Sequence, residues 1–164
     1  MQIYECIKAR RSVRLYISKA LQSGDLYKII ESAIWAPSEK NIQPWKFKVI
    51  TQKYIINEIS KLSLRVSWVK SAPCLVLIYL NKSCSYHYLK DVQSCAAAIQ
   101  NMLLVAHEMG IGSCWIGELL ENADSVNKLV SVCANLELMG VVSFGYARVK
   151  PVITERKKVS DFLL

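Results

Sequence analysis

The run CLVLIYL at 74–80 follows Pro73 and offers no polar residue at any of its seven positions. A strand points successive side chains to opposite faces, so an unbroken apolar run needs cover on both sides. This one stretch predicts a central strand with helices above and below it. It falls well short of the about 20 residues that span a bilayer, as does MLLVA at 102–106. WKFKVI at 45–50 predicts a half-buried strand, with Trp45, Phe47 and Val49 on one face and Lys46 and Lys48 on the other. SCWI at 113–116 and MGVVSFGYARV at 139–149 supply further strands.

Helical spacing fills the rest. Ile3, Cys6, Ile7 and Arg10 keep a 3.6-residue period over 2–10. A second helix is expected over 25–35, capped near Ser23 or Gly24, with Leu26, Ile29, Ile30, Ala33 and Ile34 as its buried stripe and Pro37 as its stop. Helix is also expected over 52–62 and 125–133. The longest runs over 88–109, where Val92, Cys95, Ala96, Ile99, Met102, Leu103, Ala106 and Met109 stay in phase until Gly110. Ala96, Ala97 and Ala98 allow another helix to approach it closely. The tail from Pro151 has little periodicity. No repeat or linker divides the 164 residues, so the expectation is one α+β domain over 1–164.

Apolar residues make up 52% of the chain, at or above the usual range, which suggests a further surface to bury such as a subunit interface. The N-terminus shows no signal-peptide pattern, which leads to the expectation of a cytoplasmic protein. Six cysteines without a C-x-x-C pair read as reduced thiols, most of them in apolar surroundings. His87 and His107 lack acidic or thiol partners at ligand spacing, so no metal is expected.

The net charge of +8 fits nucleic acid, an acidic membrane surface or an anionic small molecule. Basic residues gather near both chain ends, between Lys8 and Lys19 and between Arg148 and Lys158. If the ends meet in space, they build one anion site. A nucleic-acid surface would need interleaved aromatics or a recognition helix, and neither is evident.

Three stretches carry chemistry. In RRSVRLY, Arg10, Arg11 and Arg14 crowd around Ser12; guanidinium forks and a hydroxyl suit a phosphate. APSEKNIQPWKF at 36–47 reads as a rigid polar loop whose Asn41 and Gln43 amides suit the edge of a heterocycle. GIGSCWIG at 110–117 places a glycine on each side of a short strand, permitting close backbone approach to a flat ligand. Trp115 itself reads as core.

Taken in order, RRSxRxY, APSxxNxQPWxF, AAxQNMLLxA within the long helix, GxGxCWIG and a C-terminal GYA…RK resemble the FMN-dependent nitroreductase family across nearly the whole chain. The resemblance implies an α+β fold with a central, mostly antiparallel sheet flanked by helices, and an intertwined homodimer holding FMN at each subunit interface. Arg10, Ser12 and Arg14 would contact the FMN phosphate, ribityl chain and pyrimidine edge, with Arg11 adjacent. Arg156 would close on the phosphate. Pro37, Ser38 and Asn41, with Gln43 in the same motif, would come from the partner subunit. The backbone at Ile116 and Gly117 would face flavin N5.

The implied reaction is a ping-pong transfer. NADH or NADPH reduces FMN and leaves, and a nitroaromatic, quinone or similar electrophile takes the electrons. The flavin carries the chemistry, so no catalytic side chain is required. A non-catalytic flavin-binding or storage protein, or a specialised flavin or enone reductase, would use the same residues. Arg14 near the pyrimidine would favour the reduced flavin by about 1.5 kcal/mol after solvent discounting, which is about 30 mV for two electrons. Only about ten residues, Asn81 to Lys90, precede the long helix where larger relatives carry an insertion, which implies a more open substrate face.

Overall fold

The computed structural model describes residues 2–164. Four strands, β1 (Trp45–Ile50), β2 (Cys74–Asn81), β3 (Gly112–Ile116) and β4 (Leu136–Gly145), form one sheet in the order β1-β2-β4-β3. All three strand pairs are antiparallel. Six α-helices accompany them: α1 (Ile3–Ala9), α2 (Ser23–Ile34), α3 (Lys53–Lys61), α4 (Val66–Ser71), α5 (Tyr88–Glu108) and α6 (Ala123–Val130).

β2 is an inner strand, and its two faces feed two separate cores. Leu75, Leu77 and Tyr79 pack with Ile56 and Ile59 of α3, Val69 of α4 and Val126 of α6. Cys74, Val76, Ile78 and Leu80 pack with Ile29 and Ala33 of α2 and with Cys95, Ile99 and Met102 of α5. The double cover predicted from CLVLIYL is therefore present. Ala33, Ala36 and Ala98 lie in the shared apolar layer of α2 and α5, and the Asn101 Nδ2 donates to the Ser32 carbonyl at 3.0 Å across the same contact.

Several boundaries differ from the periodic reading. α2 begins at Ser23, after Gln22 as its cap, so Gly24 lies inside the first turn. α6 runs from Ala123 and ends at Val130, because Ser131 turns into the left-handed region (φ 51°) and donates its N–H to the last-turn carbonyls. β4 is shifted towards the N-terminus relative to 139–149, since β2 extends far enough to pair Asn81 with Leu136. It stops at Gly145, where a Cβ would lie 2.6 Å from Pro73 Cδ and the chain turns to a different partner. α4 has no counterpart in the sequence reading. Trp115 is not core: it is 39% exposed, with its indole against Gly140, where a Cβ would lie 2.9 Å from Nε1. Among the described residues all six cysteines are free, and Cys6, Cys74, Cys95 and Cys114 are the buried ones. No helix is long and apolar enough to cross a membrane among the described residues.

Candidate functional site

Arg10 caps α1 with extended backbone (φ −55°, ψ 132°), and the chain then runs along the outer edge of β3. Ser12 bridges Ser113 in parallel, and the Val13 N–H donates to the Ser113 carbonyl at 2.9 Å. The edge of β3 is thereby covered. Farther on, the Ile17 N–H donates to Tyr146 O at 3.0 Å and the Arg148 N–H to Leu15 O at 2.9 Å. The N-terminal strip thus pairs with the chain leaving β4, and this pairing turns the tail back towards α1.

Extended residues alternate sides. Val13 enters the core, so close to β3 that a Cβ on Gly112 would lie 2.8 Å from Val13 Cβ. Arg11 shares the side of Val13, whereas Ser12 and Arg14 take the other. Tyr16 fastens the strip: its hydroxyl donates to Val13 O at 2.6 Å and lies 2.8 Å from Ser143 Oγ.

Arg10 and Arg156 approach closely enough to feel each other's charge. The Arg10 guanidinium has its pKa lowered first by burial, then by Arg156 and Arg11. The described salt bridges, Lys61–Glu58 and Lys90–Glu39, include none of these arginines. Arg156 donates to Thr154 Oγ1 at 3.1 Å. Cys114 sits beneath the same group: burial raises its thiol pKa, opposed by Arg14, the Ser12 hydrogen bond and Arg10.

Arg14 lies over the Trp68 ring, 4.9 Å from its centroid, and Arg65 lies 5.0 Å from the same ring. Ile116 ends β3 in the core, and Gly117 follows with nothing within 4 Å of a Cβ position. The space beside the Gly117 Cα is therefore unfilled. Glu118 ties this turn to the α3–α4 connection, accepting from Ser63 Oγ and from the Arg65 N–H.

Pro37, Ser38, Asn41 and Gln43 lie elsewhere. The Gln43 N–H donates to Ser38 Oγ at 3.0 Å, and Gln43 Nε2 donates to Asn41 O at 3.3 Å. Lys40, Asn41 and Gln43 all have left-handed φ (49°, 56° and 50°), a strained arrangement of the kind that marks ligand loops. Pro37 to Lys40 share a cavity with Lys90, Gln93, Ser94 and Ala97, and Glu39 pairs with Lys90 at 3.2 Å. His107, beside Arg10 and Arg11, is ten residues beyond Ala97 on α5, about 15 Å along the helix. One chain brings Arg10, Ser12, Arg14 and Arg156 together and holds the amide loop away from them.

The family model described as nitroreductase family matches residues 7–66 and 56–146. The chain belongs to the nitroreductase family. A protein of Archaeoglobus fulgidus named "Putative NADH dehydrogenase/NAD(P)H nitroreductase" is 33% identical over 150 residues, covering 88% of this chain and 86% of that one. A Desulfovibrio desulfuricans structure, a "putative nitroreductase in complex with fmn", superposes with a TM-score of 0.95 at 29% identity, covering 100% of this chain and 96% of its own. The Vibrio harveyi NADPH:FMN oxidoreductase complexed with NAD+ shares the fold, with a TM-score of 0.89 at 20% identity over 99% of this chain and 76% of that one. In this nitroreductase-family chain the match stops before Arg156, so the position of that residue beside Arg10 comes from the tertiary structure.

The sequence reading missed Trp68, Arg65 and His107. Trp68 and Arg65 lie in a stretch whose helix was itself unread. For His107 a signal existed, its place in the last turn of α5 three residues before Gly110, but its neighbours come from α1.

Proposed function

We propose that this chain is an FMN-dependent NAD(P)H oxidoreductase that acts as a homodimer and reduces nitroaromatics, quinones or related electrophiles. The supporting observation is the convergence of Arg10 and Arg156 from opposite ends of the chain without an acidic partner in the described salt bridges. Such a cluster suits a phosphate monoester, because it offers several charge-assisted donors to one dianion.

FMN fits these residues. Arg10, Arg156 and the Ser12 hydroxyl would hold the phosphate. Arg14, steadied by Trp68, would stand at the pyrimidine edge and favour added negative charge there. The backbone at Ile116–Gly117 would face the ring. The flavin, when bound, supplies the two-electron transfer between nicotinamide and acceptor. The chain needs no acid or base of its own for that, and its task is to bind and orient.

A second copy completes the site in this reading. The Pro37–Gln43 loop stands about 15 Å along α5 from the arginines, and in this reading it serves the site of the second copy. Apolar groups are left uncovered on the same molecule: Ile3, Tyr4, Trp35, Val152, Ile153 and Phe162 are exposed. Residues 1–164 act here as one domain, with the tail belonging to the site.

Purification provides the test. A yellow dimer whose flavin absorbance bleaches under nitrogen on adding NADH or NADPH, and returns on adding a quinone or nitroaromatic, is the expected result. A colourless protein that takes up no FMN overturns the reading. A yellow protein that neither nucleotide bleaches is a flavin-binding protein and not a reductase.

A further inference from the structure

Glu118 follows the Ile116–Gly117 backbone and reaches away from β3 to the connection between α3 and α4. Its Oε1 accepts from Ser63 Oγ and from the Arg65 N–H at 3.3 Å, and the same N–H also donates to Ser63 Oγ at 2.9 Å. Four residues on, Asn122 Nδ2 donates to the Leu62 carbonyl at 3.0 Å. Between these ties Leu119 is fully buried among residues of α3, α4 and α6. The 3₁₀ turn Gly117–Asn122 is therefore fastened at both ends to residues 62–65.

The fastening brings charge as well as geometry. Ser63 is buried and spends its hydroxyl on the carboxylate, a charge-assisted bond. No described salt bridge includes Glu118, so its negative charge stands there without an ion-pair partner. The carboxylate holds residue 65 by its backbone, while the Arg65 guanidinium lies with that of Arg14 on the Trp68 ring, 5.0 and 4.9 Å from the centroid.

Cys114 reads the sign of the field at this place. Burial raises its thiol pKa first; Arg14, the Ser12 hydrogen bond and Arg10 lower it, and Glu118 raises it. A negative charge forming beside Ser12 and Arg14 is thus favoured by the arginines and opposed by Glu118.

We propose that Glu118 is a positioning residue of the flavin site, which fixes the Gly117 turn against residues 62–65 and, through its charge, offsets Arg14 and holds the flavin potential down. This role rests on the functional reading above, in which that turn faces the ring. Arg14 favours the reduced flavin and Glu118 the oxidised one, and the potential follows the difference between two opposed charges. A lower potential gives the electrons more driving force towards an electrophilic acceptor.

Dye-coupled potentiometry of the full chain loaded with FMN provides the test, together with amide hydrogen exchange at residues 117–119 read by NMR. Glu118→Gln keeps an acceptor oxygen for both donors and removes the charge. It should bind reduced FMN about three- to tenfold more tightly relative to oxidised FMN, a rise of about 15–30 mV for two electrons. Its exchange should stay within about twofold of the parent chain, since the hydrogen bonds remain. Ser63→Ala keeps the charge and loosens the turn. Exchange should then quicken by about fivefold or more, with the potential rising less than in Glu118→Gln.

An FMN-loaded Glu118→Gln protein whose potential is unchanged or lower overturns the role and leaves the functional reading standing. So does an equal rise in Ser63→Ala, or exchange in Glu118→Gln as fast as in Ser63→Ala, because a loosened turn would then account for the shift. A chain that takes up no FMN overturns the functional reading and this role with it.

Discussion

The two halves of the candidate site are built on opposite principles. The strip from Arg10 to Tyr16 is held by its own chain, through the edge of β3, the Tyr16 hydroxyl and the returning segment at 146–148. The loop from Pro37 to Gln43 is held mainly by itself, with left-handed residues and four hydrogen bonds between its own members. The first half concentrates charge and the second exposes amides. In the proposed dimer, a site divided this way would place its strongest electrostatics on the sheet edge and leave ring recognition to a loop that the second subunit delivers.

The comparison breaks most easily at the arginines. Replacing both Arg10 and Arg156 with Ala should cost about 3 kcal/mol or more of FMN binding, two charged hydrogen bonds at about 1.5 kcal/mol or more each. That is over a hundredfold in Kd by flavin fluorescence titration. Riboflavin, which has no phosphate, should be nearly unaffected; an equal loss for riboflavin would show that the arginines do not read the phosphate.

Prising the strip from the sheet comes next. In Gly112→Ala the new Cβ would meet Val13 at 2.8 Å, and overpacking of this kind typically costs about 1–3 kcal/mol. A lower Tm together with weaker flavin retention is expected, whereas an unchanged Tm would mean that the strip adapts and is not rigid.

A smaller effect sharpens the electrostatic half. Arg14→Ala should make the flavin potential more negative by about 30 mV. Trp68→Leu, which removes the ring beneath Arg14, should move it the same way by less, and Trp68→Tyr should restore part of it. Dye-coupled potentiometry decides, and an unshifted potential removes Arg14 from the pyrimidine edge.

The smallest effect tests the loop. Asn41→Gly relieves a left-handed residue and should stabilise the fold by up to about 1 kcal/mol, while flavin dissociates faster because the amide is gone. Stabilisation without faster dissociation would place Asn41 outside the site.

Much of this architecture was legible in local pattern. Alternation in WKFKVI and the two-faced run at 74–80 located β1 and β2, and the apolar phase of α5 held from Val92 to Ala106 until Gly110 ended it. The resemblance carried by RRSxRxY and APSxxNxQPWxF supplied the candidate site residues by type. α4 was missed because a six-residue helix spans less than two turns and has no measurable period. Trp115 was misread because its face of β3 depends on what lies across the sheet, and Gly140 leaves room for the indole there without burying it.

By itself the sequence determined which residues must be buried, where the chain changes from period 2 to period 3.6, and that guanidinium, hydroxyl and amide groups are available for a phosphorylated heterocycle. These are properties of neighbouring residues, and burial imposes them locally. The tertiary structure alone decided that Arg156 returns to Arg10, that Trp68 lies under Arg14, that Arg11 turns to His107 and that the amide loop stands apart. Each of these joins distant parts of the chain, and hydrophobic periodicity records that a face is covered without recording what covers it.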